Sequence, residues 1–208
     1  MIKLWGRANS SNVMKVIWLL QELGVPYHRV DVGGPFGGTA TPSYRTMNPL
    51  GVVPTLEEDG FTLFESNAIM RYLCNTQPEP TAFYPQAARS RGQIDCWLDF
   101  QQTALNRPQS TVFQGLVRIA PEHRNHAAIA TAVTEAAGIW AILDGRLGRH
   151  DYVAGDDLTL ADIAFGVHMH RWFVMPIEGR PDAPHLHKWY QRLLERPAYR
   201  DHVALPLS

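Results

Sequence analysis

Cysteine is scarce, charge is balanced, and no apolar run is long. The 208 residues hold two cysteines, Cys74 and Cys96, with no Cys-x-x-Cys pair. That excludes a disulfide-stapled fold and a dithiol redox motif, and it points to a reducing, cytoplasmic setting. Both cysteines are expected on helices as buried, small apolar residues. Nineteen basic against twenty acidic residues leave a net charge of −1, with no block of one sign. Nothing therefore draws the chain to nucleic acid or to an anionic membrane. The opening MIKLWGRANSSN lacks the apolar core of a leader, and no stretch approaches the roughly 20 apolar residues that span a bilayer. What is present is ordinary: 45% hydrophobic against 19% charged residues, enough for one large or two small globular domains.

Periodicity divides the chain. Ile2–Trp5 reads as a short strand. Val13, Val16, Ile17, Leu20 and Leu23 follow helical spacing, closed by Gly24 and Pro26, and Tyr27–Val32 is a second strand. Strand–helix–strand in so few residues is a right-handed βαβ unit with parallel strands. A glycine-rich loop, Gly33–Gly38, and a short helix near Pro42–Met47 come next. Two apolar runs, Val52–Leu56 and Phe61–Phe64, are split by Glu58-Asp59-Gly60 and suggest a hairpin leading into a helix. The prolines at 78, 80 and 85 mark a linker over 77–85, between an α/β domain at 1–76 and an all-helical domain at 86–208. Beyond the linker, stripes at Ile94/Trp97/Leu98/Leu105, Ile129–Leu147, Leu160–Val167 and Leu186–Leu193 predict a bundle of four or five helices. Thr159-Leu160-Ala161-Asp162 forms a capping box at the start of one of them.

The residues around the hairpin carry the chemistry. Pro54 inside an apolar run suits an edge or a cis turn, and a cis Val53–Pro54 bond would turn the Val53 N–H and C=O towards an extended peptide. Glu65-Ser66-Asn67 opens the following helix, whose free N–H groups attract a carboxylate. A backbone edge, an acidic side chain and a helix N-terminus this close together suit a small zwitterionic peptide. Glu65 would take its ammonium, and Ser66 with the helix end its carboxylate. Ser66 by itself could be a simple helix cap; the combination carries the reading.

That combination resembles the glutathione-binding half of the cytosolic glutathione transferases, where a Val-Pro-Thr-like turn precedes a Glu/Gln-Ser-x-Ala-Ile helix start. Here those are Val53-Pro54-Thr55 and Glu65-Ser66-Asn67-Ala68-Ile69. The Thr-x-Ala-Asp element at 159–162, after Gly155-Asp156-Asp157-Leu158, extends the likeness across the second domain. The resemblance implies an N-terminal thioredoxin-like domain of order βαβαββα followed by an all-α bundle. It implies glutathione as co-substrate without a further cofactor, a small hydrophobic electrophile, and a cytoplasmic homodimer of a bacterial serine- or asparagine-type, theta- or nu-like class.

The first strand-to-helix junction, Ser10-Ser11-Asn12, is where a hydroxyl and a helix dipole would favour a thiolate. Serine-type members of the family place the catalytic hydroxyl four residues before a basic residue, which from Lys15 gives Ser11. A related bacterial subgroup uses a Thr-x-Asn pair, which maps to Ser10 and Asn12. Ser11 ranks first, with Ser10 and Asn12 close behind; all three could instead be plain cap residues. No tyrosine stands at the end of the first strand, against a tyrosine-type enzyme. Val52 replaces the lysine of the family's Gly-Lys-Val-Pro turn, so glutathione's glycyl carboxylate needs Asn48, Arg45 or the Gly33–Gly38 loop. Two further readings keep the same site: glutathione as reductant of disulfides or peroxides, and a non-catalytic binding protein. His168-x-His170 and His185-x-His187 are not expected to hold a metal, because residues two apart on a helix face different directions.

Overall fold

The computed structural model describes all residues from 1 to 208. The N-terminal part runs β1 (Ile2–Trp5), α1 (Ser11–Glu22), β2 (Tyr27–Val30), α2 (Pro42–Met47), β3 (Thr55–Glu58), β4 (Phe61–Phe64) and α3 (Ser66–Asn75). This is the thioredoxin-like order expected. The sheet order is β2-β1-β3-β4; β1 and β2 are parallel, with Ile2 opposite Tyr27, and β3 is antiparallel to both β1 and β4. Strand side chains alternate between faces, which decides what covers each one. Ile2 and Leu4 point into the core beneath α1 and α3. On the opposite face Trp5 meets the edge of Tyr44 from α2, centroids 6.3 Å apart.

The strand limits differ from the sequence pattern for local reasons. β3 begins at Thr55, not Val52. The Val52 carbonyl instead accepts from the Tyr44 hydroxyl at 2.7 Å and the Asn48 amide at 2.9 Å, and Pro54 has no donor to offer a ladder. Glu58, expected in the turn, pairs with Phe61, so the turn is Asp59-Gly60, both with positive φ (48° and 88°). Two left-handed residues match the twist of a tight hairpin.

The helical domain follows: α4 (Ala88–Phe100), α5 (Asn106–Phe113), α6 (His126–Leu147), α7 (Leu160–Val174), α8 (Pro184–Leu194) and α9 (Pro197–His202). That is six helices where four or five stripes were expected; α9 spans six residues, too short to show a period. A π-helical turn over Gln101–Leu105 joins α4 to α5 in one rod. Pro108 explains the widening, since its ring would collide with the Ala104 carbonyl in a regular helix. Another correction concerns α6. By length and mean hydropathy (1.4 over its most apolar window) this helix could cross a bilayer, contrary to the expectation for the whole chain. Its Ile129, Ala132, Ala136, Trp140, Leu143 and Leu147 are buried in the bundle. Cys96 is a third correction. Ile94 and Leu98 of α4 face inward, so position 96 lies on the exposed side, whereas Cys74 on α3 is buried as expected.

One core of 38 buried residues runs from Ile2 to Val203 through both parts of the chain. Its centre is the contact of α1 with α7. The Trp18 ring lies over Gly166, and Tyr199 packs edge-on to Trp18 at 4.7 Å while donating its hydroxyl to the Gly166 carbonyl at 2.8 Å. A Cβ at Gly166 would come within 2.8 Å of Trp18. Glu22 is clamped by Arg196 through two contacts of 2.6 and 2.7 Å and accepts from the Trp18 indole at 2.9 Å. At the start of α7 the capping box forms as read. Asp162 accepts from the Val153 and Thr159 N–H groups and the Trp189 indole at 2.9–3.0 Å, fully buried.

Gly166→Ala is expected to destabilise the protein by about 1–3 kcal/mol through overpacking against Trp18. Gly138→Ala, on the open face of α6 with nothing within 4 Å, is expected to be neutral or stabilising by up to about 1 kcal/mol. Urea unfolding of the two variants beside the parent checks the pair.

Candidate active site

The helix α1 is buried from Val13 to Leu20, and its half-buried N-terminal tip, Ser11-Asn12, is the end beside α3. Ser10 holds the N-cap backbone conformation (φ −84°, ψ 126°), yet its hydroxyl makes no capping bond. The first helical bond is from the Met14 N–H to the Ser10 carbonyl, which leaves the N–H groups of Ser11, Asn12 and Val13 without a backbone partner. A simple cap would spend a hydroxyl on one of these donors. Neither serine does.

α3 presents a second such tip. Its N–H groups begin at Ser66, and the Ile69 N–H is the first to close on Glu65. The Ser66 hydroxyl reaches the Asn12 side-chain oxygen at 3.4 Å, so the two helix ends read separately in the sequence meet in the structure. Glu65 stands at the junction with φ 70° and ψ 111°, a backbone state that non-glycine residues rarely occupy. Such strain costs on the order of 1–3 kcal/mol and is typical of positions that aim a side chain for function.

The Val53–Pro54 bond is cis, and neither the Val53 N–H nor its C=O enters a backbone hydrogen bond. Asn48 has a different position from the one expected. It is wholly buried, its amide engaged with the Val52 carbonyl, the Thr55 hydroxyl and the Leu50 N–H. It shapes the turn from behind. Arg45 stays at the surface, its guanidinium beside Gly51.

Sequence reasoning used Lys15 only as a landmark. In the structure its side chain is fully buried, with the ammonium donating to Gln101 Oε1 at 2.7 Å and to Asn67 Oδ1 at 3.4 Å. It thereby links α1 to α3 and to the π-helical turn of the second domain. Burial pulls its pKa down to about 7, partly offset by Glu65. The signal was a lone lysine inside Val13–Leu20, where no face of the helix reaches water. His168, also buried, faces this region with both ring nitrogens unpartnered and is held neutral by burial and by Lys15. His170 instead bonds the Tyr190 hydroxyl and the Leu205 carbonyl. The two histidines point apart, as their spacing implies.

A four-stranded thioredoxin-like sheet, with two helix tips meeting beside a cis-proline turn and a helical bundle docked on α1, is the architecture of the two-domain transferases. Comparison with known proteins agrees. Residues 1–75 match the family profile described as "Glutathione S-transferase, N-terminal domain", and residues 109–197 match "Glutathione S-transferase, C-terminal domain". The chain is 38% identical to glutathione S-transferase GstB of Escherichia coli (strain K12) over 210 residues, the full length of both. It is 31% identical to glutathione S-transferase 4 of Zea mays over 201 residues, 95% of this chain and 89% of the relative. The theta class glutathione S-transferase of Xanthomonas axonopodis pv. citri, solved with glutathione bound, has a TM-score of 0.95 at 44% identity. That match covers 100% of this chain and 99% of the other. The chain belongs to the glutathione S-transferase family.

Lys15 yields a pH prediction. Between about 7 and 10.5 the unfolded chain keeps a proton that the folded protein has released, so raising pH favours folding across that window. Relative to Lys15→Met, the parent should gain stability there by up to about 1.4 kcal/mol per pH unit. Denaturant midpoints at several pH values check this; equal slopes in both proteins would contradict it.

Proposed function

We propose that the protein is a glutathione transferase that binds the tripeptide along the Val53 edge and activates its sulfur at the tip of α1. The observation that carries this is the meeting of two unspent helix N-termini, joined by Ser66 and Asn12, beside a backbone edge with no partner of its own. In this reading Val53 pairs with the cysteinyl backbone, as an added strand would. Glu65 takes the γ-glutamyl ammonium. Ser66 and the N–H groups of α3 take the adjoining carboxylate. Arg45 and the Gly33–Gly38 loop receive the glycyl carboxylate, and Asn48, buried behind the turn, serves only to hold it.

The chemistry follows from position. A thiol set at the end of α1 meets free N–H groups and a serine hydroxyl, and both favour the thiolate. Ser11 is assigned the donor role, with Ser10 beside it, since both hydroxyls are uncommitted. Asn12, whose oxygen faces Ser66, orients the two ends. The thiolate sulfur then attacks an electrophilic carbon; the C–S bond forms as the leaving group departs with its electron pair. No bond to the protein is made. The domains divide near the 77–85 linker, and the second domain supplies the electrophile's side of the cleft. Homodimerisation and a cytoplasmic setting are part of the same proposal, in keeping with the family and the two unpaired cysteines.

Ser66→Ala and Glu65→Gln should each weaken glutathione binding about tenfold, the worth of one hydrogen bond to a charged group. Ser11→Ala should leave that affinity nearly intact and lower turnover with an aryl halide on the order of a hundredfold. Calorimetry and steady-state rates on one preparation test both. A rate lost in Ser10→Ala or Asn12→Ala but kept in Ser11→Ala would reassign the donor. Disulfide reduction without conjugation would transfer the site to the reductase reading, and glutathione binding with neither activity would leave a binding protein.

A further inference from the structure

The loop between β1 and α1 is gripped by the helical domain at one residue, Asn9. The loop leaves β1 in step with β2, the Gly6 and Arg7 N–H groups donating to the Val30 and Val32 carbonyls. It then turns, closed by the Ser10 N–H on the Arg7 carbonyl at 3.3 Å. Neither the Ala8 nor the Asn9 N–H enters a backbone hydrogen bond, so the sheet holds the loop only as far as Arg7. Asn9 is held from elsewhere. Its carbonyl accepts from the Arg171 guanidinium of α7 at 2.8 Å, 162 residues away in the chain. Its side-chain amide donates to the Ser208 hydroxyl at 3.1 Å and to the Ser208 main-chain oxygen at 3.4 Å. Ser10, the next residue, is the N-cap of α1, and Ser11 is the first residue of the helix.

Both partners of Asn9 are themselves fixed. Arg171 is buried, its guanidinium 3.9 Å from the centre of the Phe113 ring on α5. A buried guanidinium must be hydrogen-bonded, and the one side-chain hydrogen bond that Arg171 makes goes to Asn9. Ser208 ends a segment anchored at alternate residues. Val203 is buried, and the Leu205 carbonyl accepts from His170 Nε2 at 2.8 Å. Leu207 packs against the small cluster of Val112, Phe113 and Met175. Arg118, just beyond α5, donates to the Ser208 main-chain oxygen at 3.2 Å. The segment therefore runs from the end of α9 over α7 and the end of α5 to reach the loop.

A hydroxyl stabilises a thiolate only at hydrogen-bond distance and angle. A displacement of about 1 Å at a reacting centre costs on the order of a hundredfold in rate. The residue next to two uncommitted serines therefore governs how well they are aimed. We infer that Asn9 is a positioning residue for thiol activation, and that Arg171 and the segment Leu205–Ser208 set it from the helical domain. This rests on the proposed glutathione transferase reading and extends it: the second domain supplies a wall for the electrophile and also places Ser10 and Ser11. Asn9 touches no reacting atom and acts through the serines. Because it is uncharged, its removal leaves every charge around the sulfur position in place.

Two variants cut the same link from its two ends. Asn9→Ala keeps the carbonyl that Arg171 holds and removes the amide that reaches Ser208. A chain ending at Leu205 keeps the His170 contact and removes Ser208. In each, the thiol of bound glutathione, followed by thiolate absorbance, is expected to titrate about one unit higher than in the parent, the worth of one weakened hydrogen bond to a charged group. Turnover with an aryl halide below that range should fall up to about tenfold with the thiolate fraction, while calorimetric affinity for glutathione stays within about twofold. Because both changes break one link, the double variant should titrate no higher than either single one. Unchanged titration in Asn9→Ala overturns the proposal. So do shifts that add in the double variant, or affinity lost with the thiol value kept, which would place Asn9 in binding. If the shortened chain does not fold, Asn9→Ala decides alone. A parent that binds no glutathione, or whose bound thiol titrates as in water, rejects the preceding function, and this inference falls with it.

Discussion

Every residue of α1 from Val13 to Leu20 is out of water, and one of them is a lysine. An ammonium in that position must be hydrogen-bonded or discharged. Gln101 and Asn67 receive it, and those two contacts tie the first helix to α3 and to the opening rod of the second domain. Trp18 against Gly166 and the Glu22–Arg196 clamp hold α1 on α7 and the start of α9, while Lys15–Asn67 and Asn12–Ser66 hold its N-terminal half on α3. The site needs that rigidity. Two helix ends meeting through a 3.4 Å contact between Ser66 and Asn12 hold a ligand geometry only if both helices are immobile.

The same construction accounts for the electrostatics. The crevice gathers positive potential from two helix N-termini, with the carboxylate of Glu65 beside them. A tripeptide with two carboxylates and a thiol that must ionise gains from each of these. The strained backbone of Glu65 is the local cost of placing one negative group among them. In the proposed reading the two domains divide the labour: the thioredoxin-like part grips the tripeptide, and the helical part supplies the electrophile's side of the cleft.

Much of this was legible in the sequence because the signals are local. The βαβ spacing, the Val-Pro-Thr turn and the Glu65-Ser66 helix start each depend on a few adjacent residues, and each recurs in the fold. So does the Thr159–Asp162 capping box. What escaped depends on contacts far apart in the chain. Asn48 read as a ligand group because an asparagine after a helix could face either way; only the meeting of Tyr44, Val52 and Thr55 turns it inward. Cys96 was misread because apolar residues flank it on a helix whose buried side is defined by Ile94 and Leu98. Lys15 was visible as an oddity in an apolar run, but its partner Gln101 lies 86 residues away.

The central claim is that the tip of α1 stabilises a thiolate, and the direct measurement is the pH titration of the thiol of bound glutathione, followed by thiolate absorbance in the ultraviolet. Free thiols titrate near about 8.5. The account requires the bound thiol to titrate at least about one unit lower, and to move back towards the free value in Ser11→Ala with glutathione still bound. A bound thiol that titrates as it does in water would contradict it.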